Sequence, residues 1–153
     1  MISPEVLRRF PIFAGLSAEA FKDIAQMCGE KNFEDGMYLF EEGDEADFIY
    51  LVLAGKVDLL MNVDLYGKER TDIETIVEGE LLGWSTIVEP HVYRMSGIAL
   101  GDVKAVAIDA ANFREYLYEK PTTGLIVMMR MASVIGERLT KMRLRFMSLV
   151  TKA

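Results

Sequence analysis

Histidine, cysteine and tryptophan occur once each in this 153-residue chain, as His91, Cys28 and Trp84. One cysteine cannot close an internal disulfide, so a reducing, cytoplasmic setting is expected. One histidine cannot supply a multi-histidine metal site, and no Ser-His-Asp or Cys-His set can be assembled with a free base. No carboxylate pair stands in a recognisable acid/base frame, so an enzyme is not expected. Long hydrophobic runs are also lacking. No stretch approaches the roughly 20 apolar residues that cross a bilayer, and MISPEVLRRFPIF has neither the apolar core nor the cleavage site of a secretory signal. No membrane association is expected. Positive charge is short as well: 17 Lys and Arg against 24 Asp and Glu give a net charge of −7. This opposes binding to nucleic acid, which rewards phosphate neutralisation by Lys and Arg. The local exception is KMRLRFMSLVTK, with Lys141, Arg143, Arg145 and Lys152, and cations near a helix C-terminus complement its dipole.

Apolar residues make up 51% of the chain and charged residues 27%, the balance of a folded domain with a real core. Residues 4–9 and 17–28 read as two short helices. Ser17 is placed to cap the second, with Glu19 and Ala20 in its first turn, Phe21, Ile24, Ala25 and Cys28 on one face, and Gly29 as its C-cap. Between them, FPIFAGL packs Phe10, Ile12, Phe13 and Leu16 around a proline turn. From about Lys31 to Ile108 short apolar segments such as MYLF, FIYLVLAG, KVDLLMNV, DIETIV and VKAVAID alternate with turn signals. Strands punctuated every roughly 8–12 residues by Gly and Asp predict an all-β sandwich or barrel. Gly36, Gly43, Gly55, Gly67, Gly79 and Gly101 fall at its corners, with LYGKER as a hairpin tip. The expected organisation is one domain in three parts: helices over 1–30, strands over 31–109, helices over 110–153.

In the last part, AANFREYLYEK puts Phe113, Tyr116 and Leu117 on one side of a helix, and Pro121 and Gly124 start another that runs to about Leu149. Along it Met128, Ala132, Ile135, Leu139, Met142, Phe146 and Leu149 recur at alternating steps of four and three. Sustained 3.5-residue spacing predicts a coiled-coil seam and a homodimer. Leu125, Met129, Val134 and Leu144 are then free to face the strands. The alternative is a helix folded back over its own domain.

This layout is similar to a known family. F-x-x-F-x-G-L-S at residues 10–17, a Gly-rich region carrying LFEEGDEADFIYLVLAGKVDL, a later Gly-Glu and a long closing helix together resemble the cyclic nucleotide-binding domains of catabolite-activator-type (CRP/FNR-like) regulators. The match extends over about residues 5–149, and Glu42-Gly43-Asp44 followed by Tyr50, Val52, Gly55 and Val57 is its most specific part. The resemblance implies a mainly β fold with flanking helices: a β-roll (double-stranded jelly roll) with short N-terminal helices and a long C-terminal dimerisation helix. It also implies a regulatory sensor of a small-molecule effector, cAMP or cGMP in type, heard by an unidentified protein partner. The family's helix-turn-helix module would follow the long helix, and is expected to be lacking because the sequence stops at Ala153. Inhibition of DNA-binding relatives through mixed dimers is a further possibility on this view. Haem, which some relatives bind, would have only His91 and Cys28 as strong ligands. His91, beside Pro90 in a loop, and Cys28, in an apolar run, both read as structural instead.

In this family the ligand lies under a phosphate-binding cassette, here GELLGWSTIVEPHVYRMSG. A cyclic nucleotide calls for a guanidinium on its phosphate, backbone amides at a short helix start and a carboxylate on its ribose hydroxyl. By resemblance Gly79, Glu80, Leu81 and Leu82 open the cassette, with Glu80 as ribose acceptor and Gly83 allowing close approach. Arg94, Ser96 and Gly97 close it. The segment is several residues longer than in the family's cyclic-AMP binders, and aligning Ser96-Gly97 with the family's Ser/Thr-Ala pair sets Met95 at the arginine position. Two readings follow. In one, Glu80, Arg94 and Ser96 hold a small anion, and the helix near Met128–Ile135 senses it. In the other, Arg94 pairs with an acid such as Glu89, Glu80 caps its own turn, Trp84 fills the core, and the chain is a ligand-free dimeric interaction module.

Overall fold

Two serines start the first helices. In the computed structural model, which describes residues 2–63 and 70–152, the Ser3 hydroxyl accepts from the Glu5 amide at the head of α1 (Pro4–Leu7) and the Ser17 hydroxyl from the Ala20 amide at the head of α2 (Ala18–Ala25). Each satisfies an amide that a helix start leaves without a partner. A 3-10 turn, Pro11–Phe13, lies between them. Helix α2 stops earlier than the sequence suggests. Gln26 caps it, and Cys28 and Gly29 belong to strand β1 (Cys28–Phe33), paired with Ile108 and Ala107. The expected helix to residue 28 and C-cap at Gly29 are therefore corrected: CGEKNF alternates in exposure along the strand, a period of two that pairing can bury and a helix cannot. Cys28 is nonetheless a core thiol. Its Sγ donates to the Ile24 carbonyl at 3.1 Å, and burial pushes its pKa from 9.0 up to about 12.

The remaining strands are β2 (Tyr38–Phe40), β3 (Phe48–Asn62), β4 (Arg70–Ile76), β5 (Leu81–Leu82) and β6 (Ser96–Asp109). Pairing is antiparallel in the order β1-β6-β3-β4, with β2 also on β6 and β5 on β3. The two long strands bend together where their register shifts, between Val52 and Lys56. Gly55 sits in that bend at φ 91°, and a Cβ there would collide with the Asp102 carbonyl oxygen. The bend turns the sheet into the expected β-roll. The proposed LYGKER tip at Gly67 lies outside the described residues.

Side chains alternate along a strand, so β3 and β6 serve two cores at once. Ile49 and Leu51 with Val106 and Ile108 join Leu7, Phe13, Ile24, Phe113, Val127 and Met131 on the helix side. Tyr50 and Val52 with Ala105 and Ala107 face into the roll beside Leu39, Phe40, Val57, Leu59 and Tyr93.

Two helices close the chain. Asp109 caps α3 (Ala110–Glu119) by accepting from the Asn112 amide at 2.9 Å. In α4 (Pro121–Thr151), Gly124 is buried against α3, where an added Cβ would lie 2.5 Å from the Leu117 carbonyl oxygen. That close approach sets which face packs: Gly124, Val127, Met131 and half-buried Val134 lie underneath. Leu125, Met129 and Leu144, expected to face the strands together with Val134, are turned outward by the same spacing and are exposed. Of the seam, Ile135 is half-buried and the other six residues are exposed, from Met128 at 37% to Leu149 at 65%. Among the described residues, no helix is long and apolar enough to cross a membrane.

The bend gives a direct test. Gly55 and Gly101 both have positive φ, but an added methyl at Gly101 meets open space. Gly101→Ala is expected to cost about 1–2 kcal/mol from backbone strain alone, and Gly55→Ala clearly more. Chemical denaturation of both variants checks this, and equal losses would show that the β3–β6 bend does not depend on the close approach.

Candidate functional site

The Gly79–Gly97 segment is fixed from its first turn. Gly79, at φ 89°, donates its amide to the Val52 carbonyl at 2.9 Å, and the Val52 amide donates to the Glu80 carbonyl at 3.0 Å. Glu80 Oε2 accepts from the Val77 amide at 2.9 Å and closes its own turn. In β5, Leu81 stands opposite Leu51 and enters the helix-side core, while Leu82 stands opposite Tyr50 and enters the roll. At Gly83 a Cβ would lie 2.9 Å from the Phe48 carbonyl oxygen, so the close approach it permits is to β3. The 3-10 turn Trp84–Thr86 follows. Arg114 of α3 donates to the Thr86 carbonyl at 2.6 Å, and Trp84 packs half-buried against the helix-side core.

The far end of the segment is built around Tyr93. Its ring stacks on Phe40 with centroids 4.1 Å apart, and its hydroxyl donates to the Phe48 carbonyl at 2.6 Å while accepting from the Phe48 amide at 3.1 Å. Met95 packs against the roll interior. Ser96 is buried, and its hydroxyl accepts from the Glu42 amide at 2.9 Å, while Glu42 Oε2 accepts from the Asn62 amide at 2.9 Å. Ser96 thus ties the Glu42-Gly43-Asp44 corner to β6. Gly97 lies flat on the Phe40 ring. Arg94 is exposed and has no hydrogen bond or ion pair among the described residues, so the pairing with Glu89 is not formed.

Beneath the segment these side chains leave a cavity of about 20 Å³, bordered by Phe40, Leu59, Gly83, Trp84, Arg94 and Met95 and by one residue from α4, Arg138. Such a space holds about one water. Outside the roll lies a second cavity of about 270 Å³, between the Pro11 turn, Gly79-Glu80-Leu81 and α4. Arg138 borders this one too, with Arg130, Glu137 and Lys141. Its side chain is only 15% exposed, its guanidinium donates to the Leu81 carbonyl, and its Nε lies 3.9 Å from Glu74 Oε2. Burial draws the Arg138 pKa below its ordinary value, and the charges of Glu74 and Glu80 push it back up. Buried, the charge is held by Glu74, Glu80 and a backbone dipole, as a desolvated guanidinium requires.

Gly79, Glu80 and Leu81 therefore border the outer cavity and Arg94 the inner one, while Leu82, Ser96 and Gly97 line neither. The helix borders the outer cavity beside Gly79, Glu80 and Leu81 from Arg130 through Lys141, a span that takes in part of Met128–Ile135, and it reaches the inner cavity one turn further along, at Arg138. A sequence signal for this residue does exist: Gly124, Met131, Arg138, Arg145 and Lys152 recur every seven residues. The stripe that packs on the domain turns cationic where it passes the acidic edge of the roll. Arg145 continues it by donating to the Ile73 carbonyl at 2.6 Å, at the point where a bulge takes Ile73 out of the β3–β4 ladder. The C-terminal cations thus do more than complement the helix dipole. No cluster of three or more His, Cys, Asp or Glu side chains is placed to hold a metal among the described residues.

Comparison with known proteins gives a consistent picture. Residues 30–120 match the family model of the cyclic nucleotide-binding domain. The chain is 25% identical over 118 residues to a CRP-like cAMP-activated global transcriptional regulator of Mycobacterium tuberculosis, covering 76% of this chain and 51% of that protein. It is 26% identical over 129 residues to a cyclic AMP receptor protein of Thermus thermophilus, covering 84% and 57%. The chain thus spans about half the length of the curated relatives it matches. The crystal structure of a protein from Geobacter metallireducens GS-15, assigned as cyclic nucleotide-binding, superposes with a TM-score of 0.81 at 34% identity, over 91% of this chain and 99% of that one.

The buried phenols under the segment set a pH dependence. Burial, then the charge of Asp47, pushes Tyr50 from 10.0 up to about 12, and burial pushes Tyr93 higher still. The unfolded chain gives up these protons first, near its ordinary value. The stability they support is therefore complete below about pH 10 and declines as pH rises toward 12. Denaturation at a series of alkaline pH values should show a steeper decline for wild type than for Tyr93→Phe. Parallel declines would mean that Tyr93 does not hold its proton in the folded state.

Proposed function

Because this chain belongs to the cyclic nucleotide-binding domain family, we propose that it is a regulatory sensor in which a small anionic effector, cAMP or cGMP in type, binds beneath Gly79–Gly97 and is reported through α4 to a protein partner. The observation that carries the reading is that two guanidinium groups, those of Arg94 and Arg138, border one small cavity under Gly83 and Trp84, in a chain whose net charge is −7. A guanidinium at the edge of that space suits an anionic guest, because a buried phosphate needs its charge met. Glu80 commits one carboxylate oxygen to the Val77 amide and leaves the other for a ribose hydroxyl. The effector cannot enter a space for one water unless something moves, and Arg138 makes α4 part of what moves. A ligand that favours one helix arrangement over another shifts their populations by that difference in affinity. Titration calorimetry with cAMP and cGMP tests the reading: saturable binding tighter than about 1 mM is expected, weakened in Glu80→Gln. Absence of binding to either nucleotide by wild type overturns it.

A second reading, a ligand-free interaction module, is favoured by the Phe40, Tyr93 and Met95 packing that fills the roll. Nucleotide co-purifying with the protein, detected by mass spectrometry, would exclude it.

We also propose that the chain forms a homodimer along Met128, Ala132, Ile135, Leu139, Met142, Phe146 and Leu149. The support is that α4 packs on its own domain through a different stripe and leaves most of these residues exposed. Size exclusion with light scattering should give a dimer, and Leu139→Asp with Phe146→Asp a folded monomer. A monomeric wild type at tens of micromolar would overturn the pairing.

A further inference from the structure

Resting on the sensor reading above, we propose that Arg138, supplied by the long helix, is the guanidinium that meets the effector's phosphate, and that Arg94 is not. Three observations carry it. Among the described residues Arg138 alone borders the inner cavity, the outer cavity and a third groove, of about 330 Å³, between β4 and the second half of α4. Its side chain is thus common to the walls of a space for one water and of a cavity of about 270 Å³, and on this proposal its displacement opens the one toward the other. A volume of that size approaches the lower end of small-molecule pockets. Two other walls of the inner cavity, Phe40 and Tyr93, are held in place. Phe40 and Tyr93 are stacked, and Tyr93 is bonded to both polar groups of Phe48.

The second observation is electrostatic. Arg94 stands in water, where an ion pair with phosphate is screened and worth little. Arg138 is largely withdrawn from water, where the same contact is stronger. The third is the identity of its present partner. Arg138 donates to a neutral acceptor, the Leu81 carbonyl, and its carboxylate neighbour Glu74 is no closer than 3.9 Å. A phosphate oxygen offers a charged acceptor and a charge-assisted bond about twice as strong. The exchange gives the guanidinium a charged hydrogen-bond acceptor in place of a neutral one. It also removes the Arg138–Leu81 bond, which among the described residues joins the Arg145–Ile73 bond in holding the second half of α4 against the roll.

Nucleotide titrations followed by the emission of Trp84, the sole tryptophan, which borders the inner cavity, test the assignment together with hydrogen exchange of residues 139–151. Arg138→Gln is expected to weaken cAMP binding by about tenfold or more, the loss of a bond to a charged group, whereas Arg94→Ala changes it by less than about threefold, as for a screened surface charge. Arg138→Lys, which keeps stem and charge, should recover part of the affinity and guards against a folding defect. In wild type, cAMP should speed exchange over residues 139–151. In Arg138→Gln exchange there should be fast with or without nucleotide. Full affinity in Arg138→Gln, with the loss falling on Arg94→Ala, overturns the assignment and leaves the sensor reading standing. Wild type that binds neither cAMP nor cGMP overturns both.

Discussion

The long antiparallel pairing of β3 with β6 governs the rest of the molecule. Consecutive residues on both strands look into different cores, so one ladder of hydrogen bonds decides which side chains meet the helices and which fill the roll. A slip of one residue would exchange the two sets wholesale, sending Tyr50 to the helix side and Leu51 into the roll. The bend at Gly55 then lets the same two strands line the roll along their whole length, and β5 joins this arrangement at Leu51 and Tyr50. The cassette's position is thus a consequence of the pairing rather than of contacts of its own.

Much of this was written plainly in the sequence because the signals were local. Ser17 and its apolar face gave α2, and Gly36, Gly43, Gly55, Gly79 and Gly101 all take positive φ, as their places at corners required. The Glu42-Gly43-Asp44 corner and the strand that follows it carried the family resemblance because those residues build the architecture. The boundary near Cys28 was less legible. Its helical spacing competes with a strand that exists only because β6 arrives from the far end of the chain to pair with it.

The site was legible at one end only. Gly79 and Glu80 act within a few residues of themselves, through Val77 and Val52, so a short motif describes them. The other end depends on distance in sequence. Tyr93 reads as one aromatic among many until Phe40 and Phe48 are brought beside it, and Ser96 serves the Glu42 corner rather than an open space. Arg138 was hidden for a different reason: the heptad pattern of α4 was dominated by its apolar seam, one position away from the stripe that carries Arg138 and Arg145. The same helix therefore has two distinct faces, one packed on its own roll and one of exposed apolar residues.

The two residues of β5 illustrate what this geometry entails. Leu81 and Leu82 share a peptide bond yet belong to opposite sides of the sheet, and the carbonyl of the first is the one that Arg138 holds. A shift of that peptide would therefore disturb the helix-side core and the roll interior together. A strand so short has no neighbouring residues over which to spread the disturbance. Both leucines are buried, so neither side leaves open space for such a shift.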